Sequence, residues 1–568
     1  MKTIHKIHNP IVSVVIPCYN EEQYVKDSLD SVLSQKGIGS YEIIVFDDGS
    51  TDNTNAILEE YANKYNNIVY MHSDKHIGIS NALNQCIDNS LGTYIVRHDA
   101  DDIMVEDRIS IQLKVMKENP YIDILCGSFE LISKNGEHIK DYIWPNLYQF
   151  SLEDFKNTNR IAHPTVMMKR SSIKRLPFIY EQYFDGCEDY KLWVTALAHG
   201  LTIVSISNIC TRYRISHNAD NNKNKQIIQN IIESILYPIN ESKDLTCIIT
   251  FKNENDEVEK TVQNIRGTTK GVHIILVKDG NDDKYDYSIV SRLYKCEYLV
   301  NDQSKGVAQA RTMGVEHTHT STFIIMDAHM RLYEIGWEDK VIQLAKEHPN
   351  DILCSKTLVI KKDKDNIYTN ENGKNKNNIV GANVLFDDKH TFEAKWSGVF
   401  KKESDELIEV PCILGAFYVM NKKHWNRIHG LQGLMQWGQD EPLLSVKTYL
   451  FGGKSYIINN IFVGHMYRDA APYKKDNVQI DYNKIFMNHL LCDNELEMKS
   501  FDNRVKENIG KNMFDKAYLL YIKNKDKVNA ERQYILDNSV YTIKDFYKYN
   551  IELRNNYDKK PSTNFHNN

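Results

Sequence analysis

"SVVIPCYNEE" (Ser13–Glu22) and "TCIITFKNEN" (Thr246–Asn255) stand about 230 residues apart and read as two copies of one element. Each is an apolar, β-branched run that breaks at a polar turn. Further blocks keep the same order and nearly the same spacing. "EIIVFDDGSTD" (Glu42–Asp52) matches "HIILVKDGNDD" (His273–Asp283), and "KHIGISNALNQCID" (Lys75–Asp88) matches "QSKGVAQARTMGVE" (Gln303–Glu316). Last come "YIVRHDADD" (Tyr94–Asp102) and "FIIMDAHM" (Phe323–Met330). The period is far too long for a solenoid unit, so each copy is a whole domain.

Strands alternate with helices in each copy. Val12–Ile16 and Ile43–Phe46 are apolar runs, Glu21–Leu33 and Thr54–Tyr65 show helical spacing, and Ile68–Met71 reads as a short strand. This predicts βαβ units and a parallel sheet. Ligands of such sheets sit beyond the carboxyl ends of the strands, where Asp47, Asp48, Asp99 and Asp101 fall. Asp99, Asp101 and Asp102 place like charges close together, which a bound cation would relieve. The second copy has His329 in place of the last acid, two residues after Asp327. Mg²⁺ or Mn²⁺ between carboxylates and phosphate oxygens suits such a site. The chain has no Gly-x-x-x-x-Gly-Lys-Ser/Thr loop, which excludes a P-loop NTPase.

A chain of 568 residues exceeds a single core. The expected division is a first domain over 1–217, a linker with a connecting helix over 218–243, a second domain over 244–481, and a helical appendage over 482–568. "HNADNNKNKQ" (His217–Gln226) reads as a loop, Ile227–Ile239 as the connecting helix, and "KKPSTNFHNN" as a frayed tail. The polar stretch Lys361–Asn378 reads either as a mobile surface loop or as an acceptor-side lid. The net charge of −6 carries no basic field for nucleic acid. Ten cysteines without CxxC pairs argue for reduced thiols. With no signal-like start and no apolar run of about eighteen residues, the expectation is a cytoplasmic protein. A peripheral meeting with a lipid-linked acceptor at the inner membrane face belongs to that expectation.

The first half resembles family 2 glycosyltransferases with the GT-A fold. "VSVVIPCYNEEQYVKDSLDSVLSQ", "EIIVFDDGSTDNT", "GISNALNQCIDNSLGTYIVRHDADDIMVEDRISIQ", "IAHPTVMMKRSSI" and "CEDYKLWVTAL" carry the likeness, over about Ile11–Arg214. The resemblance implies a nucleotide-sugar donor and inversion at the anomeric carbon. It places Pro17, Tyr19, Glu21 and Asp48 in the nucleotide pocket, Asp99 at the ribose or metal, Asp101 on the metal, and Asp189 as base. An inverting displacement needs one carboxylate within hydrogen-bond reach of the acceptor hydroxyl. Glu188 and Asp189 also read as an acid pair complementing a helix dipole. His163 is either a turn-packing residue or part of the site, and Arg108 either pairs with the acids or meets substrate.

The second half resembles the catalytic domain of polypeptide N-acetylgalactosaminyltransferases, over about Leu245–Arg468. The stretches are "SKGVAQARTMGVEHTHTSTFIIMDAHMRLYEIGWEDKVI" and "VPCILGAFYVMNKKHWNRIHGLQGLMQWGQDEPLLSVKTYLFGGKSYIINNIFVGHMYR". By resemblance Asp327, His329 and His465 hold Mn²⁺, a plausible set of one carboxylate and two imidazoles. Asp279 and Arg311 join the nucleotide-sugar pocket. Trp437 offers an apolar face to a sugar ring, and Asp440 and Glu441 bind hydroxyls or supply a base. The family pattern Trp-Gly-Gly-Glu-Asn is Trp-Gly-Gln-Asp-Glu here, which leaves donor and stereochemistry of this half open.

Together these readings predict an α/β protein of two Rossmann-like GT-A domains in tandem plus a C-terminal helical appendage. The expected function is a bifunctional, metal-dependent transferase of hexosyl or N-acetylhexosaminyl groups. It would use UDP-sugars, with one Mn²⁺ or Mg²⁺ per domain, on a glycan, lipid-linked or protein acceptor, for a surface polysaccharide or glycoconjugate. Chondroitin-polymerase-type enzymes share the tandem arrangement, and tethered sites raise the effective concentration of one product for the next step. The alternatives are one active domain beside a glycan-binding one, or a nucleotidyltransferase, against which the missing Gly-rich phosphate loop argues.

Overall fold

The computed structural model describes residues 9–215, 222–280, 284–362, 368–373, 378–379, 382–386, 391–396, 406–415, 417–467 and 475–557. Residues group into two units, 1–238 with 362–372, and 239–361 with 373–568.

In the first unit, strands β1 (Val12–Cys18), β2 (Tyr41–Asp47), β3 (Ile68–His72) and β4 (Tyr94–Arg97) form a parallel core in the order β3-β2-β1-β4. Val12, Val14, Val15 and Ile16 of β1 are fully buried, as are Ile43, Ile44 and Val45 of β2. Strands covered on both faces read as continuous apolar runs, which is why these stretches do not alternate. The sheet then turns mixed. β5 (Ile103–Met104), β6 (Ile124–Ile132), β7 (His138–Tyr142), β8 (Met167–Lys169) and β9 (Ile203–Arg214) extend it in the order β4-β8-β6-β9-β5, with β7 on β6.

The second unit repeats this order. β10 (Leu245–Phe251), β11 (His273–Asp279), β12 (Glu297–Asn301), β13 (Thr322–Asp327), β14 (Met330–Leu332) and β15 (Ile352–Lys362) combine with strands Phe417–Asn421 and Ser455–Tyr467. The sheet runs β12-β11-β10-β13, then Phe417–Asn421, β15, Ser455–Tyr467 and β14. Each of these eight strands has its counterpart in the first sheet, so the repeat extends beyond the matched blocks along the main path of the topology. The chain is two α/β domains of like topology in tandem with a C-terminal helical region.

Two expectations shift. The connecting helix spans Asn222–Leu236, starting inside the stretch read as a loop, because Ile227, Ile228, Ile231 and Ile232 give it one buried face. At the C-terminus, the helix Asn477–Leu491 starts before 482, capped by the Asp476 carboxylate on the amides of Val478 and Gln479. Its Tyr482, Ile485, Phe486 and Leu490 join the second unit's own core. Helices Glu495–Ile509, Lys511–Asn538 and Ile543–Tyr557 follow. Residues 216–221 of the predicted loop, 363–367 and 374–377 of the polar stretch, Arg468 and the tail lie outside the described residues. Of the polar stretch, Tyr368 accepts a hydrogen bond at its carbonyl from Asn81 Nδ2 at 3.2 Å.

Candidate active sites

The first site forms where β1, β2 and β4 end. Ligand oxygens of Asp99, Asp101 and Asp102 lie within 4.8 Å of one another. Burial, then the charges of Asp101 and Asp99, push the Glu21 carboxyl up to about 8. Glu21 therefore belongs to this acidic cluster. Asp102 is buried, with Oδ1 accepting from the Arg214 amide at 2.8 Å. Arg97, fully buried on β4, forms an ion pair with Asp99 and supplies countercharge that no sequence pattern pointed to.

Asp48 directly follows β2. Its carboxylate accepts from the amides of Ile77 at 2.7 Å and Gly78 at 3.0 Å, and His76 Nδ1 stands 3.0 Å away. It thereby fixes the loop entering the helix Ile79–Asp88, whose Gly78 has φ of 91°. Burial raises its pKa, and the amide bonds partly offset this. Tyr19 is half exposed and lies against the His76 ring, with centroids 4.2 Å apart. Pro17 is the last residue but one of β1.

Asp99, Glu188 and Asp189 line one cleft of about 810 Å³, together with His163. Glu188 and Asp189 open the helix Glu188–Ala198. Glu188 Oε2 accepts from the Gly186 amide at 2.9 Å, and Asp189 Oδ2 from Asn159 Nδ2 at 2.7 Å. Burial, then the Asp189 charge, pushes Glu188 up to about 8, and burial also raises Asp189. His163 is buried, and desolvation holds its pKa well below the usual range. Its Nε2 meets Tyr180 Oη at 2.7 Å, so packing is part of its role even as it lines the cleft. Arg108 neither hydrogen-bonds the acids nor lines the cleft. Its buried guanidinium bonds the carbonyls of Arg97 at 2.9 Å and Val166 at 3.1 Å, Gln112 Oε1 at 3.1 Å and Thr211 Oγ1 at 3.1 Å. These four acceptors satisfy the charge, where the sequence left acid pairing and substrate contact both open.

The second site occupies the same edge of its own sheet. Asp327 ends β13, His329 follows, and His465 lies opposite Met330 on the strand paired with β14. One ligand atom from each lies within 4.8 Å of the others. His465 Nε2 is 3.4 Å from Asp327 Oδ2, and His329 Nδ1 is 3.2 Å from Glu254 Oε2. Burial pushes the Asp327 carboxyl up, but the His465 bond and the charges of Arg311 and His329 outweigh it and hold it well below the usual range. A carboxylate with two imidazoles is a donor set that fits Mn²⁺, and the all-carboxylate first cluster fits Mg²⁺ or Mn²⁺.

Arg311 is buried in this site. Its guanidinium reaches Asp327 Oδ1 at 3.0 Å and also forms an ion pair with Asp440. Asp440 and Glu441 open the helix Asp440–Leu450. Tyr418 Oη donates to Glu441 Oε1 at 2.8 Å, and burial followed by the Asp440 charge pushes Glu441 up to about 8. Asp279 repeats the work of Asp48, accepting from the amides of Lys305 at 2.8 Å and Gly306 at 2.9 Å and from Ser304 Oγ at 2.7 Å. Trp437 is 47% exposed, with the Lys475 ammonium 3.8 Å above its ring. That cation covers one face of the ring expected to meet a sugar.

The sequence profile of glycosyl transferase family 2 matches residues 13–176 and again 246–407. The chain belongs to glycosyl transferase family 2. Similar proteins include an uncharacterized glycosyltransferase of Methanocaldococcus jannaschii, 30% identical over 38% of this chain and 75% of the relative. The UDP-Glc:alpha-D-GlcNAc-diphosphoundecaprenol beta-1,3-glucosyltransferase WfgD of Escherichia coli is 28% identical over 38% of this chain and 82% of its own. Among solved structures, Staphylococcus aureus TarS with UDP is 20% identical, covering 39% of this chain and 64% of its own, with a TM-score of 0.34. GalNAc-T7 with UDP, GalNAc and Mn²⁺ is 16% identical, covering 56% of this chain and 59% of its own, with a TM-score of 0.43. The protein is thus a glycosyltransferase, and each family 2 segment covers the earlier strands of one of its two sheets. No helix among the described residues is long and apolar enough to cross a membrane.

Proposed function

We propose that both family 2 domains are active and that the protein transfers two sugars from UDP-sugar donors in building a surface polysaccharide or glycoconjugate. One observation carries this reading. Each domain assembles a candidate metal cluster at the end of its fourth parallel strand, and each opens the helix before its long penultimate strand with an acid pair. That pair is Glu188 and Asp189 in the first domain, Asp440 and Glu441 in the second. A domain retained only to bind glycan would have no need of both.

In the first domain, Asp189 accepts the proton of the acceptor hydroxyl as its oxygen bonds the anomeric carbon and the bond to the diphosphate breaks. Its raised pKa suits a base working near neutral pH. Pro17, Tyr19 and Glu21 border the nucleotide, and Asp48 holds the loop over it. In the second domain, Glu441 handles the proton, while Arg311 orients Asp440 and Asp327. Asp99 with Asp101, and Asp327 with His329 and His465, would hold a divalent cation that offsets charge on the departing diphosphate. The name of the Escherichia coli relative supports a UDP-sugar donor and a lipid-linked glycan acceptor.

The test is UDP release with Mn²⁺ from a panel of UDP-sugars, comparing wild type, Asp101→Ala and Asp327→Ala. Each variant should lose turnover of a different sugar. Loss of both turnovers in one folded single variant would overturn independent sites. If Asp327→Ala changes nothing while Asp101→Ala loses everything, the second domain is a glycan-binding one.

A further inference from the structure

The cleft holding Asp99 and Asp189 has two unlike walls. One carries the acids. The other is aromatic, built from Phe129 of β6, Tyr142 at the end of β7, Trp144 just after it and Tyr213 of β9. Phe129 and Tyr142 stack face to face, with centroids 4.7 Å apart at 12°, and Tyr213 meets Phe129 edge-on at 5.7 Å. A stacked pair of this kind usually closes a core, yet Tyr142 is 42% exposed. Trp144 has the Arg160 guanidinium 5.7 Å from its ring. Thr158 and Arg160 also line the cleft.

A cleft of about 810 Å³ is near the upper end of small-ligand pockets. Rigid rings with apolar faces and hydrogen-bonding edges give contact area at low entropic cost. Alternating ring faces with hydroxyl and guanidinium donors fits a ligand that is apolar on its faces and polar around its rim. A pyranose has this character: C–H groups on its faces and hydroxyls at its equator. A hydrocarbon chain would use the ring faces but none of the polar side chains that line the same cleft.

We propose that the wall of Phe129, Tyr142, Trp144 and Tyr213 is a saccharide subsite, and that the first domain's acceptor is the end of a glycan at least two sugars long. The terminal hydroxyl lies at Asp189 and the preceding ring against Trp144 and Tyr142. This rests on the reading of the Asp99–Asp189 cleft as a transferase site.

The experiment uses the full chain, as wild type, Trp144→Ala, Tyr142→Ala and Trp144→Phe. Binding is measured to an array of hexose and N-acetylhexosamine mono- to tetrasaccharides, to phosphatidylglycerol vesicles carrying polyprenyl phosphate, and to UDP with Mn²⁺. Wild type should retain a set of glycans of two or more sugars. Trp144→Ala and Tyr142→Ala should weaken that set tenfold or more, Trp144→Phe should restore most of it, and UDP binding should stay within twofold. An array pattern unchanged in both alanine variants overturns the proposal. So does retention of the vesicles alone, or no glycan binding by wild type. Failure of wild type to bind UDP with Mn²⁺ instead removes the underlying transferase reading.

Discussion

Arg311→Met keeps the side-chain stem and removes the one guanidinium shared by Asp327 and Asp440. The Arg311 side chain is 6% exposed, that of Asp440 5% and that of Asp327 27%. At roughly 3 Å and an effective dielectric of about 20, one such contact is on the order of 5 kcal/mol before desolvation is subtracted. Removing one partner of a buried pair costs about 3–5 kcal/mol. The partial exposure of Asp327 places this variant near 3 kcal/mol. A divalent cation at Asp327, His329 and His465 would return positive charge to Asp327 but not to Asp440. A hundredfold excess of Mn²⁺ over Kd stabilises a folded protein by about 2–3 kcal/mol, and at one Mn²⁺ concentration the gain should be larger for Arg311→Met than for wild type. Hydrogen–deuterium exchange of the peptides spanning Thr322–Leu332 and Asp440–Leu450, with and without Mn²⁺, reads this directly. Arg311→Lys retains the charge but cannot fork to both carboxylates, and should fall between the two. Protection within about 1 kcal/mol of wild type without metal, or equal Mn²⁺ stabilisation of both proteins, would refute the reasoning.

Three further outcomes are expected. Burial, then Asp189, raises Glu188 from 4.5 to about 8 in the folded chain, so the stability it contributes is full below the unfolded pKa and lost as pH rises towards 8. Glu188→Gln should flatten that decline between pH 5 and 9 in denaturant titrations of the first unit, and an unchanged slope would contradict it. In Gly306→Ala the new Cβ would stand 2.3 Å from the Gln436 Cα at φ of +92°, whereas at Gly78 it would meet the movable Asp185 carboxylate at 2.6 Å. The Gly306 variant should lose second-donor turnover and melt earlier than Gly78→Ala loses the first. Lys447 is fully buried, with Nζ 3.0 Å from Glu531 Oε1, so Lys447→Met should cost about 3–5 kcal/mol. Lys447→Met with Glu531→Leu should recover most of that, and a double-mutant cycle without coupling would disprove the pairing.

The sequence by itself determined the tandem architecture. Buried parallel strands must be continuous apolar runs, and acids at their ends stand out against them. A motif repeated in order at one long period therefore identifies two domains and one sheet edge in each. Asp99, Asp101, Asp327 and His329 were legible for the same reason, being local to a strand end. What tertiary structure decided is whatever depends on distant partners. Asp48 and Asp279 accept from the backbone amides of a following loop, contacts that no local pattern records. Arg108 turned inward to carbonyls, and Arg311 became an internal clamp between Asp327 and Asp440. His465 reached the cluster only because its strand pairs with β14, far earlier in the chain. The aromatic wall of the first cleft comes from β6, β7 and β9 and the turn after β7, and no period in the chain records it. Side-chain chemistry can be read locally, but the dielectric, the countercharge and the opposite wall of a site are supplied by residues that only folding brings near.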